Sequence, residues 1–296
     1  MSDLPFDQRD GFIWFNGALV PWKDAKIHVL THGLHYASCV FEGERMYGGE
    51  VFKLREHSLR LIASGEALGF TIPYTVEQID EACIAVCKAN GLTEAYLRPL
   101  AWRGSEMMGV SAQNNRINVA VACWDWPSYF DPAQRMKGIR LDISKWHRPA
   151  PDTIPCKAKA AGLYMICTLS KHEAERKGYA DALMFDYRGY VAEATGANVF
   201  FIKDGVIHTP LPDCFLDGIT RQSVIELARK RGIEVIERHI KPEEMAGFSE
   251  CFITGTAAEV TPVAEIGEYR FKPGALTQTL MDDYTAAVHP KVSAAQ

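Results

Sequence analysis

Two lysines stand among small residues between Pro155 and Tyr164, and such a lysine could form an imine with a carbonyl compound. Lys157 and Lys159 are separated by one alanine and followed by two more alanines and a glycine. An amine attacks a carbonyl only when it is unprotonated, which requires partial desolvation. Small neighbours would also let a flat aromatic ring approach the backbone. On the residues alone, two solvated lysines are the simpler interpretation, and the spacing cannot choose between them because positions two apart share one strand face.

Three further segments could hold charged groups of a ligand. Glu193 lies in a run of small residues from Ala192 to Ala197, an unusual setting for a surface charge. Gly218 leads directly into a helix beginning at Ile219, whose free N–H groups and dipole favour an anion. Gly255–Ala257 follows a strand. A plain helix start and a plain turn are the alternative interpretations of the last two segments.

Two arginines could bind a phosphate or a carboxylate. Arg60 lies in a helical segment, where it could be an ordinary surface residue, yet its guanidinium fork suits a phosphate. Tyr96 and Arg98 are two residues apart in a strand and therefore share a face. A structural ion pair is the alternative role for Arg98.

The elements that must position these residues begin with strands and tight turns. Asn16-Gly17 and Gly48-Gly49 each lie between apolar runs and predict two hairpins. Helices are predicted at 55–68 and 76–90, the second with a capping box at Thr75 and Gln78. Strands are predicted at 94–103 and 118–126. The Pro-containing stretch after Trp126 predicts a linker over 127–138 between an N-terminal domain, 1–126, and a C-terminal domain, 139–296.

The C-terminal half alternates strands and helices. Strands are predicted at 139–146, 182–185, 198–203, 206–209, 235–240 and 251–254, and helices at 162–177, 219–231 and 275–288. The strand-first, hairpin-rich opening argues against a doubly wound nucleotide-binding fold, and no Gly-x-Gly-x-x-Gly motif is present. The patterns alone predict a two-domain α/β protein of mixed α+β type, an enzyme.

Composition excludes several classes of function. The hydrophobic fraction of 47% and charged fraction of 23% are those of a globular protein, and the net charge of -5 predicts no nucleic-acid partner. The acidic start lacks the layout of a signal peptide, and no apolar run is long enough to span a membrane. Eight scattered cysteines predict reduced thiols in a cytoplasmic protein. His32 and His35 lack a third ligand at suitable spacing, so no metal site is predicted.

Together these segments resemble the branched-chain amino acid aminotransferases of the class IV, fold-type IV family. The resemblance covers Trp14 to Val263 and rests on at least five separated segments. It implies a two-domain fold with pyridoxal 5'-phosphate between the domains. The family's lysine precedes two small residues, one further position and a tyrosine, and this register makes Lys159 the Schiff-base lysine. Cys156, Lys157 and the charged loop Arg103–Glu106 depart from the family's pattern, which bears on fine substrate preference.

The same resemblance implies the other roles. Glu193 would hold the pyridine nitrogen protonated, so that the ring acts as an electron sink, and Tyr164 would bond the ring oxygen. The implied phosphate ligands are Arg60, Ile219, Thr220 and Thr256. The implied substrate pocket comprises Tyr36, Phe41, Tyr96, Arg98, Val110, Thr256 and Ala257. Tyr36 and Val110 reach the site of a neighbouring subunit in the family, which implies a homodimer or a higher homo-oligomer such as a hexamer.

The implied reaction is transamination of L-leucine, L-isoleucine and L-valine with 2-oxoglutarate, giving branched 2-oxo acids and L-glutamate. Lys159, once displaced by the amino acid, would move the α-proton to the C4′ carbon of the cofactor. Rivals with the same fold are a D-amino acid aminotransferase, an (R)-amine transaminase and an aminodeoxychorismate lyase. A non-enzymatic pyridoxal-phosphate carrier would not need the Tyr96 and Arg98 pair, and the missing glycine motif disfavours a nicotinamide-dependent oxidoreductase.

Overall fold

The computed structural model describes residues 4–126 and 136–289, and its contacts divide the chain into two units. The N-terminal unit comprises Met1–Pro127 with Ala158–Leu163, and the C-terminal unit comprises Ser128–Lys157 with Tyr164–Gln296. The segment 158–163 joins the N-terminal unit because Ala160 forms an antiparallel bridge with Val40. The sequence pattern instead assigned this segment to the C-terminal domain. Most of the predicted linker, 127–135, lies outside the described residues.

The N-terminal unit contains an antiparallel sheet. Its strands are β1 (Phe12–Phe15), β2 (Ala18–Pro21), β3 (Cys39–Phe41), β4 (Glu44–Tyr47), β5 (Glu50–Val51), β6 (Ala95–Arg103) and β7 (Ile117–Trp124). They are ordered β2-β1-β7-β6-β4-β5, and β3 also pairs with β6. β3 and β4 thus lie along one edge of β6 and are interrupted at Glu42-Gly43. The interruption faces Pro99, which cannot donate to a ladder but accepts from Glu42 N–H at 2.7 Å.

Three helices accompany this sheet: α1 (His32–Tyr36), α2 (Leu54–Ala67) and α3 (Val76–Ala89). α3 begins with the predicted capping box. Thr75 Oγ1 accepts from Gln78 N–H at 3.3 Å, and Gln78 Oε1 accepts from Thr75 N–H at 2.9 Å. The helix buries Ile79, Cys83 and Val86, at the predicted helical spacing.

The C-terminal unit is built on a larger mixed sheet. Its strands are β8 (Ile139–Ile143), β9 (Asp181–Phe185), β10 (Val191–Ala194), β11 (Asn198–Lys203), β12 (Val206–Pro210), β13 (Val235–Arg238), β14 (Glu250–Gly255), β15 (Glu259–Ile266) and β16 (Tyr269–Arg270). The order is β10-β9-β8-β15-β14-β11-β12-β13, β16 pairs with β15, and β10 also pairs with β11. The last pairing closes a ring of strands around a core that includes Leu141, Val199, Ile253 and Val263. The helices are α4 (Met165–Arg176), α5 (Ile219–Lys230) and α6 (Ala275–Val288).

The mixed α/β fold class predicted from the sequence is confirmed, and so are both hairpins, at Asn16-Gly17 and Gly48-Gly49. The patterns miss the short elements α1, β3 and β16 and two longer strands, β10 and β15. β10 is rich in alanine, which has little strand preference, and β15 contains Pro262, a residue that argues against a central strand. Among the described residues, no helix has both the length and the apolar character needed to cross a bilayer.

Candidate active site

Lys159 is held by its backbone in the N-terminal unit. Its carbonyl accepts from Phe41 N–H at 3.0 Å, and its N–H donates to Ser64 Oγ at 3.0 Å. The next residue, Ala160, forms the bridge to Val40 on β3. Because both the N–H and the C=O of Lys159 are hydrogen-bonded, its backbone is fixed and its side chain leaves in one direction, as a reacting group requires.

The environment of the Lys159 amine differs from that of Lys157. Lys157 is exposed, whereas Lys159 is partly buried with its Nζ 5.1 Å from the centre of the Phe41 ring. Burial, followed by the positive charge of Arg60, lowers the pKa of Lys159 to about 8. An amine with that pKa has a neutral fraction of roughly one-tenth at pH 7, far more than an ordinary lysine, so Lys159 has the property that imine chemistry requires.

A fully buried carboxylate, Glu42, lies beside this lysine. Arg60 donates to both of its oxygens at 2.7 Å, and His57 Nδ1 lies 2.7 Å from Oε2. Burial alone would raise the pKa of Glu42, but Arg60 and His57 hold it well below its usual range. Burial also lowers the pKa of His57. The fork of Arg60 is therefore fixed in place by an ionised partner.

Tyr96 and Arg98 share a face of β6, as the spacing predicts. Arg98 Nη2 donates to the Tyr96 hydroxyl at 3.1 Å, and the Arg98 guanidinium lies 4.8 Å from the centre of the Phe41 ring. Gly43 allows this arrangement, because a Cβ there would come within 2.0 Å of the Tyr96 hydroxyl. Within the described ranges 4–126 and 136–289, no carboxylate pairs with Arg98, and its Nε has no hydrogen-bond partner. The structure thus brings Lys159, Phe41, Tyr96 and Arg98 together.

Glu193 occupies β10 of the C-terminal unit and is 8% exposed. Its Oε1 lies 3.3 Å from Arg148 Nε, and its Oε2 accepts from Asn198 Nδ2 at 3.3 Å. Arg148 is itself buried. Burial tends to lower its pKa, but the charges of Glu193 and of the neighbouring Cys167, Tyr164 and Cys214 together outweigh this, and the pKa of Arg148 lies above its ordinary value. The Glu193 charge is therefore balanced inside the unit rather than by water.

Gly218 precedes α5 and has no side chain with which to cap it. Ile219 and Thr220, the first two residues of the helix, are buried. The first-turn N–H groups of α5 can therefore serve an external anion. Thr256 and Ala257 lie in the tip between β14 and β15 and are partly buried, and Tyr164 is partly buried immediately before α4.

Tyr36 and Val110 lie on the surface of the N-terminal unit, 44% and 85% exposed. Tyr36 ends α1, and Val110 lies in the loop between β6 and β7. His32 joins the two elements, because its N–H donates to Gly104 O at 2.9 Å and its Nε2 lies 3.0 Å from Gly109 O.

Four residues around these groups were assigned no role from the sequence: Glu42, His57, Arg148 and Asn198. Glu42 is adjacent to Phe41 in a segment already singled out, and its one local signal is a charged residue directly after the apolar run Cys39–Phe41. Arg148 stands in a proline-rich loop that gives no sign of burial. The partners of Glu42 and Arg148 are distant in sequence, 18 residues for Glu42 and Arg60, so no local pattern reveals them, whereas Asn198 lies only five residues from Glu193.

The model of one protein family, amino-transferase class IV, matches residues 39–266. The chain belongs to the class IV aminotransferases. A "probable branched-chain-amino-acid aminotransferase" of Rickettsia conorii is 47% identical over 266 residues, covering 90% of each protein. The branched-chain amino acid aminotransferase of T.th., solved with pyridoxamine 5'-phosphate, has a TM-score of 0.91 at 41% identity, with 95% of this chain and 94% of that one covered. The same enzyme complexed with N-(5'-phosphopyridoxyl)-L-glutamate gives a TM-score of 0.91 at 40% identity, covering 96% of each.

We predict that the Lys159 amine of this aminotransferase, freed of cofactor, titrates near pH 8. A lowered pKa means that the reactive neutral amine appears as the pH rises through 8 rather than through the usual value near 10.4. The rate of acylation at Lys159, followed by peptide mass spectrometry, should therefore rise around pH 8 and level off above pH 9. Lys159→Arg should remove this step. Acylation of Lys159 that rises only above about pH 10 would contradict the prediction.

Proposed function

We propose that this protein is a pyridoxal-phosphate-dependent branched-chain amino acid aminotransferase, exchanging amino groups between L-leucine, L-isoleucine or L-valine and 2-oxoglutarate. The observation that carries the proposal is Arg98, a cation set against Phe41 and Tyr96 beside Lys159, with no carboxylate partner in the described parts of the chain. The names of the relatives favour this activity over D-amino acid or (R)-amine transamination.

The residues present fit pyridoxal phosphate. The N-terminal unit offers a partly buried amine of lowered pKa, and the C-terminal unit offers a buried carboxylate and a helix start free of side-chain capping. One buried hydroxyl is also left over. Thr254 Oγ1 has no hydrogen-bond partner in ranges 4–126 and 136–289, although the residue is 1% exposed and lies opposite Asn198 in the ladder of β11 and β14. An unsatisfied polar atom at such a place is expected where a polar ligand binds.

In this proposal Lys159 Nζ binds the cofactor covalently, Glu193 holds a proton on the ring nitrogen and Tyr164 bonds the ring oxygen. The proposed phosphate ligands are Arg60, Ile219, Thr220 and Thr256. When bound, the cofactor supplies an aldehyde and an electron-withdrawing ring that stabilises negative charge at the α-carbon of the substrate.

Lys159 has a second proposed task, as the base that accepts the α-proton of the amino acid at Nζ. A base is most effective when its pKa lies near the working pH, and a pKa of about 8 satisfies this condition. The backbone contacts to Phe41 and Ser64 keep the amine in the region of the reaction after the substrate displaces it.

Arg98 lets one pocket accept two unlike side chains. Phe41, Tyr96 and Tyr36, with Val110, Thr256 and Ala257, are the proposed substrate contacts, and the aromatic members suit a branched apolar side chain. They would repel the carboxylate of glutamate, because a buried unpaired charge is costly. Arg98 offers that carboxylate a guanidinium, which lies 4.8 Å from the centre of the Phe41 ring and 5.4 Å from that of the Tyr96 ring.

We also propose that the protein forms a homodimer or a larger assembly of dimers, in which Tyr36 and Val110 serve the neighbouring site. The support is an exposed apolar surface on the N-terminal unit. Its most exposed members are Val29 at 72%, Leu34 at 62%, Met107 at 53% and Val110 at 85%. His32 joins α1 to the loop that contains Met107 and Val110, so these side chains lie on neighbouring segments, and large exposed apolar side chains grouped in this way are typical of protein–protein interfaces.

A cytoplasmic location is likewise proposed. All eight cysteines are free thiols, and seven of them are buried. Thiols kept reduced are typical of a reducing compartment.

Lys159→Ala should lower leucine transamination by at least about 100-fold, because both the covalent attachment and the base are removed. Lys157→Ala is the matched control. It should still bind the cofactor, which gives the protein a yellow colour, and should remain active. Borohydride treatment of the wild-type protein followed by peptide mapping should find the cofactor on Lys159. A label on Lys157 would overturn this choice of lysine.

Arg98→Met should weaken the glutamate half-reaction by roughly 30- to several-thousand-fold, since losing one partner of a buried charge pair typically costs about 2–5 kcal/mol. The leucine half-reaction should change far less, because it does not use the charge. Single-turnover spectra with each amino acid measure the two separately, and Arg98→Lys should restore part of the glutamate rate. An equal loss in both half-reactions would show that Arg98 is structural.

Light scattering should give a mass of at least about twice the 33.0 kDa of the chain. Leu34→Asp places a charge on the exposed apolar surface and should shift the mass towards the monomer, with a parallel loss of leucine turnover. A wild-type monomer with full activity would rule out the shared site.

A further inference from the structure

We propose that Asn198 is a positioning residue that joins the two ends of the cofactor site in the C-terminal unit. It holds the Glu193 carboxylate at one end and Gly218, the residue before α5, at the other. The inference rests on the proposed function, which assigns the ring nitrogen to Glu193 and the phosphate to the start of α5. It gives a role to a residue that the proposed function leaves without one.

The amide of Asn198 is fully used by these contacts. Nδ2 donates to Glu193 Oε2 at 3.3 Å and to Leu216 O at 3.0 Å, and Oδ1 accepts from Gly218 N–H at 3.2 Å. The reversed amide would set a donor against the Gly218 N–H and an acceptor against two oxygens. One orientation therefore satisfies all three partners. Asn198 is 5% exposed, so water does not replace these bonds at low cost.

The strand register brings Asn198 to Glu193. The two residues are directly opposite each other in the antiparallel ladder of β10 and β11, and the connection between the strands is only Thr195–Ala197. Directly opposed residues project to the same face, with their Cβ atoms about 5 Å apart. The spacing between the carboxylate and the amide is thus set by backbone pairing rather than by flexible side chains.

Gly218 gives independent evidence that the contact between its N–H and Asn198 Oδ1 is part of the site. Its φ of -66° is open to any residue, so backbone strain does not require glycine. A Cβ at this position would lie 2.3 Å from Asn198 Oδ1, and the next nearest atoms are no closer than 3.6 Å. Among the described residues, the amide of Asn198 is therefore the only close obstacle to a side chain at position 218.

Asn198 therefore holds the Glu193 carboxylate and the first turn of α5 at a fixed separation. Glu193 keeps Arg148 at Oε1 when Asn198 is removed, but Oε2 loses the hydrogen bond from Asn198. At the same time Gly218 N–H loses its acceptor, and the N–H groups of Ile219 and Thr220 lose the anchor that orients them. A ligand that contacts both ends should therefore lose affinity through both contacts when Asn198 is replaced.

Separate probes can test the two ends on apo-enzyme variants. Pyridoxal reports the ring end, followed by absorbance, and inorganic phosphate reports the α5 end, by calorimetry. Asn198→Ala should raise the dissociation constants of both probes by about tenfold, the effect of losing a hydrogen bond to a charged group. As single-end controls, Glu193→Gln should affect pyridoxal alone and Thr220→Val should affect phosphate alone.

Gly218→Ala should reproduce the effects of Asn198→Ala on both probes, because its Cβ displaces the amide. The double variant should be no worse than either single one, since removing the amide at position 198 also removes the atom that a methyl group at position 218 would meet. Additive losses in the double variant, or a loss confined to one probe in Asn198→Ala, would overturn the coupling.

Gly218→Ala keeps the proposal testable if the Asn198→Ala variant fails to fold, because it disturbs the same contact and adds no charge. A loss confined to one probe in Gly218→Ala would count against the proposal. A wild-type apo-enzyme that binds neither probe and shows no leucine turnover would refute the proposed function and the role of Asn198 with it, whereas deviating variants of an active wild type refute only the latter.

Discussion

The ion pair between Glu42 and Arg60 is the interaction on which the rest of the N-terminal site depends. Glu42 is fully buried, yet it stays ionised because three nitrogens of Arg60 and His57 lie 2.7 Å from its oxygens. Removing one partner of such a pair typically costs about 3–5 kcal/mol, because the other charge is left without compensation. The position of this carboxylate follows from the break between β3 and β4 opposite Pro99, so a feature of the backbone fixes the electrostatics of the site.

The C-terminal unit follows the same rule with different elements. Glu193 is buried on β10 and balanced by Arg148 from the loop after β8. In the N-terminal unit the break between two strands supplies the carboxylate, in the C-terminal unit a strand does, and in both a more distant segment supplies an arginine. The two arginines are suited to this task because a planar guanidinium can pair with a carboxylate while remaining weakly hydrated. The two units differ in the group that acts on a ligand. Arg60 contributes positive charge near Lys159, whereas Glu193 contributes a carboxylate on β10.

Local features could be predicted from the sequence, and long-range ones could not. The turns at Asn16-Gly17 and Gly48-Gly49 and the cap at Thr75 depend on residues within a few positions of each other, so their patterns are visible in the chain. The residues alone could not choose between Lys157 and Lys159, and the resemblance to a family made that choice. The structural difference between them arises from Phe41, Ser64 and Arg60, which lie about a hundred residues earlier. The return of 158–163 to the first sheet escaped prediction for the same reason.

The charges around Lys159 explain why one site can both activate an amine and attract anions. Burial, followed by the nearby charge of Glu42, raises the pKa of Glu44 well above its ordinary value, and burial lowers that of His57, so both shifts favour the neutral forms. Glu42 then carries the negative charge against two arginines, Arg60 and Arg98, both of which lower the pKa of Lys159. The excess of positive charge opposes protonation of the amine, and the same excess would favour a phosphate or a substrate carboxylate. A bound anion should in turn raise the pKa of the amine, which links anion binding to the proton affinity of the proposed base.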